Sequence, residues 1–134
     1  MPIEPGLHAT LEREVGPDDT ARALGSGDLD VLGTPRLLAW CEQATVAAVA
    51  DAVDPASTTV GTRVDLAHQR PSLVDATLTV RADLVHVDGR LLRFDVVAEE
   101  AVDGGLVMVG HGQVTRIVVD RDRFLTRGQA SSSR

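Results

Sequence analysis

Gly33-Thr34-Pro35-Arg36-Leu37-Leu38-Ala39-Trp40-Cys41-Glu42-Gln43-Ala44-Thr45-Val46-Ala47-Ala48-Val49-Ala50-Asp51-Ala52-Val53 is the one long run in the chain with helical character. Thr34 suits a helix cap. Pro35 suits the first helical position, where its missing N–H would have no partner anyway. From Arg36 to Val53 there is neither Gly nor Pro, and eight of residues 35–53 are Ala or Leu, which favours helix. From Ala44 onward the run is apolar nearly all round, so it must be buried on most sides. Pro55 ends the helix, predicted over Pro35 to about Val53.

On either side the period changes to two. Leu7, Ala9, Leu11 and Val15 alternate with polar residues and predict a half-buried strand. Asp18–Leu24 is a short helix stopped by Gly25, and Gly25–Gly33 is a loop. Beyond the long helix, Val60, Thr62, Val64, Leu66 and His68 share one face of a strand that Pro71 breaks. Val74–Leu84 and Leu92–Ala98 form two more strands joined through the hairpin signal Asp88-Gly89. Asp103-Gly104-Gly105 turns into a last strand over Leu106–Val119, where Gly110 and Gly112 mark a bulge or a close backbone approach.

The order is strand, short helix, long helix, then four strands in a meander. A flat sheet covers one side of a helix; a strongly curled one covers more. The prediction is α+β: a hot-dog fold, with a curled antiparallel sheet of about five strands around one central helix. One domain is expected over residues 1–126, with 127–134 a polar tail lacking structure. The open sheet edge and the uncovered side of the helix predict a homodimer.

Composition narrows the function. The chain has 134 residues, a formal net charge of -7 and a pI near 4.9, which disfavours a nucleic-acid partner. All 13 basic residues are Arg. Schiff-base chemistry and a Walker-type phosphate loop both need Lys and are excluded. Cys41 is the lone cysteine, which excludes an intrachain disulfide and a multi-cysteine zinc site. No His pair has metal-ligand helical spacing, so no metal is expected. A reducing, cytoplasmic setting follows from the cysteine count; the residues after Met1 do not resemble a signal peptide, and no apolar run predicts a membrane span.

Four positions stand out. Glu42 is a lone carboxylate within an apolar helix, and if buried it needs a partner. His68 ends an apolar strand face and is either a hydrogen-bonded core residue or an acid–base group. Thr34 either caps the helix or presents its hydroxyl where the helix dipole favours an oxyanion. Gly61 is either a bulge or a point where a substrate carbonyl approaches the backbone. His8, His86 and His111 carry less information, and Cys41 reads as a core residue. No Gly-x-Ser-x-Gly elbow is present.

Taken together, Gly33-Thr34-Pro35, Glu42, Val60-Gly61-Thr62 and His68 resemble the fluoroacetyl-CoA thioesterase-like family of hot-dog proteins. Ala23-Leu24-Gly25-Ser26-Gly27, Val31–Pro35 and Val118-Val119-Asp120-Arg121 add to the resemblance, which runs from about Gly6 to Leu125. It implies an acyl-CoA thioesterase acting on a small or medium acyl group, with Thr34, Glu42 and His68 catalytic. Gly61 would contact the thioester through its backbone, as would the helix start at Gly33. CoA belongs to the substrate, and no separate cofactor is implied. Fluoroacetyl-selective members carry an aromatic gate before the long helix; Gly25–Gly33 has no aromatic residue, which points to a different or broader acyl group. The hydratase branch relies on an Asn, absent from this chain. The alternative reading is a non-catalytic hot-dog protein that holds acyl-CoA or another small ligand.

Thr34 and Glu42 are eight residues apart, about 12 Å along a helix. They cannot both reach one imidazole unless Thr34 lies off the helix end, so a composite site between two subunits is expected. Glu42 would attack the thioester or activate water, His68 would handle the leaving-group proton, and Thr34 would position water or the carboxylate. Arg36, Arg63, Arg70, Arg116, Arg121 and Arg123 form the pool for the CoA phosphates.

Overall fold

A computed structural model describes residues 1–132 of the chain. Strand β1 (His8–Glu14) leads through a 3-10 turn at Pro17–Asp19 into the short helix α1 (Ala21–Leu24). The Thr20 hydroxyl accepts the Ala23 N–H at 3.1 Å, and Gly25 closes α1 in the left-handed region, as expected of a glycine stop. The long helix α2 covers Thr34–Val49. It ends four residues short of Val53: the Ala52 and Val53 N–H groups both turn back to the Val49 carbonyl. Four long strands follow: β2 (Ser57–His68), β3 (Thr77–Asp88), β4 (Leu91–Val102) and β5 (Gly105–Asp120).

All five strands form one antiparallel sheet in the order β1-β3-β4-β5-β2. Only β3, β4 and β5 make the expected meander. After Pro71 the chain crosses over, so β2 pairs with β5 at one edge while β1 pairs with β3 at the other. Helix α2 lies on one face, mainly across β1 and β3. Leu37, Trp40, Cys41, Ala44, Thr45, Ala48 and Val49 point into the core against Leu78, Val80, Leu92, Phe94, Val109 and Val114. This is the hot-dog arrangement, left open. The helix is not buried on all sides, since Gln43, Val46, Ala47 and Ala50 remain exposed.

Two irregularities set the inner face. The β2–β5 register slips between Gly61 and Arg63, making Thr62 a bulge. Residues paired across antiparallel strands share a face. Gly61 opposite Arg116, Val64 opposite Val114, and His68 opposite Gly110 therefore lie inward, while Val60 opposite Ile117 lies outward. Strict alternation had put Val60 with Val64 and His68; the extra residue reverses the strand before the bulge. A second slip, between Ala98 and Glu99, leaves Val109 as the extra residue beside Gly110. Gly110 and Gly112 are also close approaches: a Cβ on Gly110 would sit 2.7 Å from the Ala67 carbonyl oxygen, and one on Gly112 would collide with that of Asp65.

Helix α3 occupies Arg121–Ser132. Residues 127–132, expected to lack structure, continue this helix. The Asp120 carboxylate starts it by accepting the Arg123 N–H at 3.0 Å, and the sequence beyond it up to Arg127 has no breaker. The end of the expected tail, residues 133–134, lies outside the described residues. No helix among the described residues is long and apolar enough to cross a membrane.

Substituting Gly112→Ala drives a methyl group into strand backbone that has no free side chain to yield. A loss of about 1–3 kcal/mol is expected, as for overpacking. Thermal denaturation is the measurement, and an unchanged melting temperature would refute the close approach.

Candidate active site

Gly33, not Thr34, is the N-cap of α2, and Thr34 is its first helical residue. The Thr34 hydroxyl does no capping. Its Oγ1 sits 2.7 Å from Nδ1 of His68, and the two share a hydrogen bond. The register that turns His68 inward opposite Gly110 brings the imidazole under the start of α2. Thr34 is exposed, whereas Nε2 of His68 is buried with no hydrogen-bond partner among the described residues. Thr34 is thus the accessible end of the pair and His68 the covered end. Burial pushes the His68 pKa below the ordinary imidazole value, against a weaker opposing effect of the Arg70 backbone. The ring is neutral at pH 7, able to accept the threonine proton at Nδ1.

Two turns along the same helix, Glu42 belongs to a different group of residues. Its Oε2 accepts a hydrogen bond from Nη1 of Arg116 at 3.0 Å. Arg116 is the inward residue of β5 opposite Gly61, and its side chain is 8% exposed against 36% for Glu42. The guanidinium also donates from Nε to the Thr59 hydroxyl and from Nη2 to the Thr59 carbonyl, each at 2.9 Å. Burial disfavours the arginine's charge, and Glu42 opposes that effect. Arg116 thereby pins one carboxylate oxygen, while Oε1 has no partner among the described residues. Glu42 lines a cleft of about 470 Å³ with Leu11, Ala39 and Val46 among its walls.

Gly61 belongs to this second group. A Cβ there would lie 2.5 Å from Oε2 of Glu42, so the glycine makes room for the carboxylate whatever else its backbone does. Gly33 does not serve as a donor: its N–H goes to the Asp19 carbonyl at 2.9 Å, and a side chain on it would strike Leu24 and Ala21. Pro35 has no N–H and Arg36 donates to Gly33, so the Thr34 N–H is the donor left at the helix start. Cys41 is buried, and burial together with the neighbouring Glu42 charge pushes its thiol up to about 12, which suits a core residue and not a nucleophile.

One protomer therefore brings Thr34 to His68, and Glu42 to Gly61 and Arg116, but does not join the two sets. Arg116 was expected only as a candidate for CoA phosphates; it faces inward, and each of its three guanidinium nitrogens donates a hydrogen bond. Its signal in the sequence was a lone charge between Val114 and Val118 on an apolar face, matching the lone acid of an apolar helix. Two more of that pool have other contacts: Arg36 pairs with Asp19, and Arg121 donates to the Pro55 carbonyl.

Comparison with known proteins gives a consistent result. Residues 15–122 match the family described as fluoroacetyl-CoA-specific thioesterase. The fluoroacetyl-CoA thioesterase of Streptantibioticus cattleyicolor is 30% identical over 95 residues, a match that covers 71% of this chain and 66% of that protein. The crystal structure of a variant of the fluoroacetyl-CoA-specific thioesterase superposes with a TM-score of 0.88 at 26% identity, covering 98% of both chains. Another variant of that enzyme, in complex with acetyl-CoA, gives a TM-score of 0.88 at 25% identity over 96% of this chain and 98% of its own.

The His68 environment makes a prediction about pH. A histidine whose folded pKa lies below its unfolded value binds fewer protons when folded, so stability is complete above about pH 6.5 and is lost as pH falls through the folded pKa. Imidazole NMR titration should place His68 below 6.5. Thermal melts should show less acid destabilisation below pH 6.5 in His68→Gln than in the wild type. A His68 that titrates at or above 6.5 would contradict this.

Proposed function

The chain belongs to the fluoroacetyl-CoA-specific thioesterase family, and we propose that it hydrolyses acyl-CoA thioesters to the free acid and CoA at a site completed by two copies of the chain. One observation carries this reading. Helix α2 carries at its start the accessible Thr34, hydrogen-bonded to His68 of β2, and two turns later a carboxylate with one oxygen unpaired among the described residues, in separate surroundings. Brought together across an interface, they supply what thioester hydrolysis needs.

A second copy has a natural place. Strand β2 is a sheet edge with unpaired backbone groups, and its inward Val64 is 43% exposed. Val46, on the uncovered side of α2, is 46% exposed. Pairing along β2 would cover these residues and set Glu42 of one protomer against Thr34 and His68 of the other. A homodimer in the cytoplasm, where the lone thiol stays reduced, fits this reading. Hydrolysis itself needs no separate cofactor.

In this reading Oε1 of Glu42 takes a proton from water, and the water oxygen bonds to the thioester carbonyl carbon. The backbone N–H of Thr34 or of Gly61 steadies the oxyanion. Collapse breaks the C–S bond, and the proton taken up by Glu42 passes to the Thr34 hydroxyl as that hydroxyl gives its own proton to the leaving thiolate. Because Nε2 of His68 is buried, the ring acts only through Nδ1, which accepts from the Thr34 hydroxyl and holds it in place. The alternative in which Glu42 attacks the carbonyl directly uses the same geometry. The absence of an aromatic residue from Gly25–Gly33 favours small or medium acyl groups without selection for fluoroacetyl.

Glu42→Gln should remove most thiol release across a panel of short, medium and aromatic acyl-CoAs while the protein stays folded. Thr34→Val should lower the rate about 100-fold or more and Thr34→Ser much less, as expected for a lost proton-transfer group. Wild-type activity should fall on acidification through the lowered His68 pKa, since only the neutral ring accepts a proton. The decisive measurement mixes two inactive proteins, Glu42→Gln and His68→Ala. With free exchange half the dimers are mixed, and each has one whole composite site of two, so about a quarter of wild-type activity should return. No recovery despite subunit exchange would place the whole site within one protomer, and wild-type turnover by Glu42→Gln would remove it from the chemistry.

A further inference from the structure

At the end of the sheet, Arg90, Val119, Asp120, Arg123, Phe124 and Arg127 line a groove of about 160 Å³ between the β3–β4 hairpin and the first turns of α3. Four other arginines, at 22, 36, 81 and 116, pair with carboxylates. Arg90, Arg123 and Arg127 have no carboxylate within ion-pair distance among the described residues. Asp120 lines the groove too, but it caps α3 through the Arg123 backbone N–H. In a chain of net charge -7, three unpaired guanidiniums around one groove are a local reversal of sign.

The groove also holds the one aromatic outside the core. The chain has two Phe and one Trp. Trp40 and Phe94 are 5% and 0% exposed, whereas Phe124 is 40% exposed. An aromatic face beside guanidiniums is a surface for a planar base that carries phosphates: arginine forks bind phosphate oxygens, and the ring stacks on the base.

We infer that this groove binds the adenosine bisphosphate end of the CoA thioester. The inference rests on the thioesterase reading and names the part of the substrate that reading leaves unplaced. Strand β5 carries Arg116 at the Glu42 cleft on the inner face and Val119, three residues or roughly 10 Å farther on, at the groove on the outer face, so the substrate passes round the end of the sheet at the start of α3. The Val118 N–H donates to the Arg90 carbonyl at 2.9 Å, tying the hairpin to that end of β5. A second cleft, of about 310 Å³, is walled by Val46, Val49, Val53 and Thr59 and reaches Arg121, the first residue of α3. It shares Val46 with the Glu42 cleft. An acyl group at Glu42 and a pantetheine arm along this second cleft bring the nucleotide to α3.

The test uses the full chain and the double variant Arg123→Ser/Arg127→Ser, both changes at exposed positions, with Arg90→Ser as an independent second protein. Calorimetry with adenosine 3′,5′-bisphosphate should show binding to the wild type and a loss of about tenfold or more in the double variant. KM for acetyl-CoA should rise by a similar factor with kcat held. KM for S-acetyl-N-acetylcysteamine, which has no nucleotide, should be the same in both proteins. If the wild type does not bind the bisphosphate, or all variants bind it equally, the inference fails. If inorganic phosphate competes as well as the nucleotide, the groove is a plain anion site and the nucleotide assignment fails. If no thioester is turned over but bisphosphate binding depends on the arginines, the hydrolase reading fails and the groove stands.

Discussion

The close seating of α2 on the sheet governs the rest of this protein. Alanines make that closeness possible: Ala44 and Ala48 on the helix, and Ala82 and Ala98 on the strands beneath, are all buried. Gly110 extends the pattern, since a Cβ there would come within 3.2 Å of the Leu37 side chain. A helix held this closely against a packed sheet has one position and one rotation. That fixes which polar side chains meet. The start of α2 falls over His68, and its third turn falls beside Arg116. Both contacts arise between regular elements, which hold side chains more firmly than loops do.

The Glu42–Arg116 pair shows how such a frame handles charge. A guanidinium at 8% exposure is costly to desolvate, and an ion pair alone is weak evidence of stability. Two hydrogen bonds to Thr59, from Nε and Nη2, hold the fork, so the arginine is fixed before Glu42 is considered. The carboxylate then has one oxygen held and one free. A fixed counter-charge with an open cleft on the other side suits chemistry better than it suits packing. Gly61 completes the arrangement by removing the side chain that would occupy the place of Oε2.

Much of this was legible in the sequence because hydrophobic period is a strong signal. Helix α2, the body of each strand and the Asp88-Gly89 turn fall where composition and alternation put them; β3 starts at Thr77 and not Val74, because Val74 and Asp75 form a turn with Asp75 at φ 80°. Most of the failures share one physical cause: the deciding contact lies far away in sequence. The bulge at Thr62 exists because β2 must match β5, and it moves Val60 to the outside and Gly61 to the inside. Crossing from β2 to β3 past Pro71 depends on which edge is free. Thr34 looked like a cap because local chemistry favours capping; His68, 34 residues on, offers its hydroxyl a better partner. Arg116 is 74 residues from Glu42, beyond the reach of any local pattern. The stretch from Arg121 lacked an apolar period, yet a good cap at Asp120 was enough to continue the chain as helix.

The groups left incomplete in one protomer are not scattered. The free oxygen of Glu42, the bare edge of β2, the apolar side of α2 at Val46 and the inward but exposed Val64 all belong to the part of the inner face that α2 does not cover. A lone helix spans only part of a five-stranded sheet, and it lies toward β1 and β3. The uncovered remainder is therefore the β2 side, where Gly61, Val64 and His68 face inward. The same asymmetry that exposes apolar surface there also leaves a carboxylate and a Thr–His pair at separate points along its border. In the composite-site reading, a second copy that covers this surface also completes the chemistry.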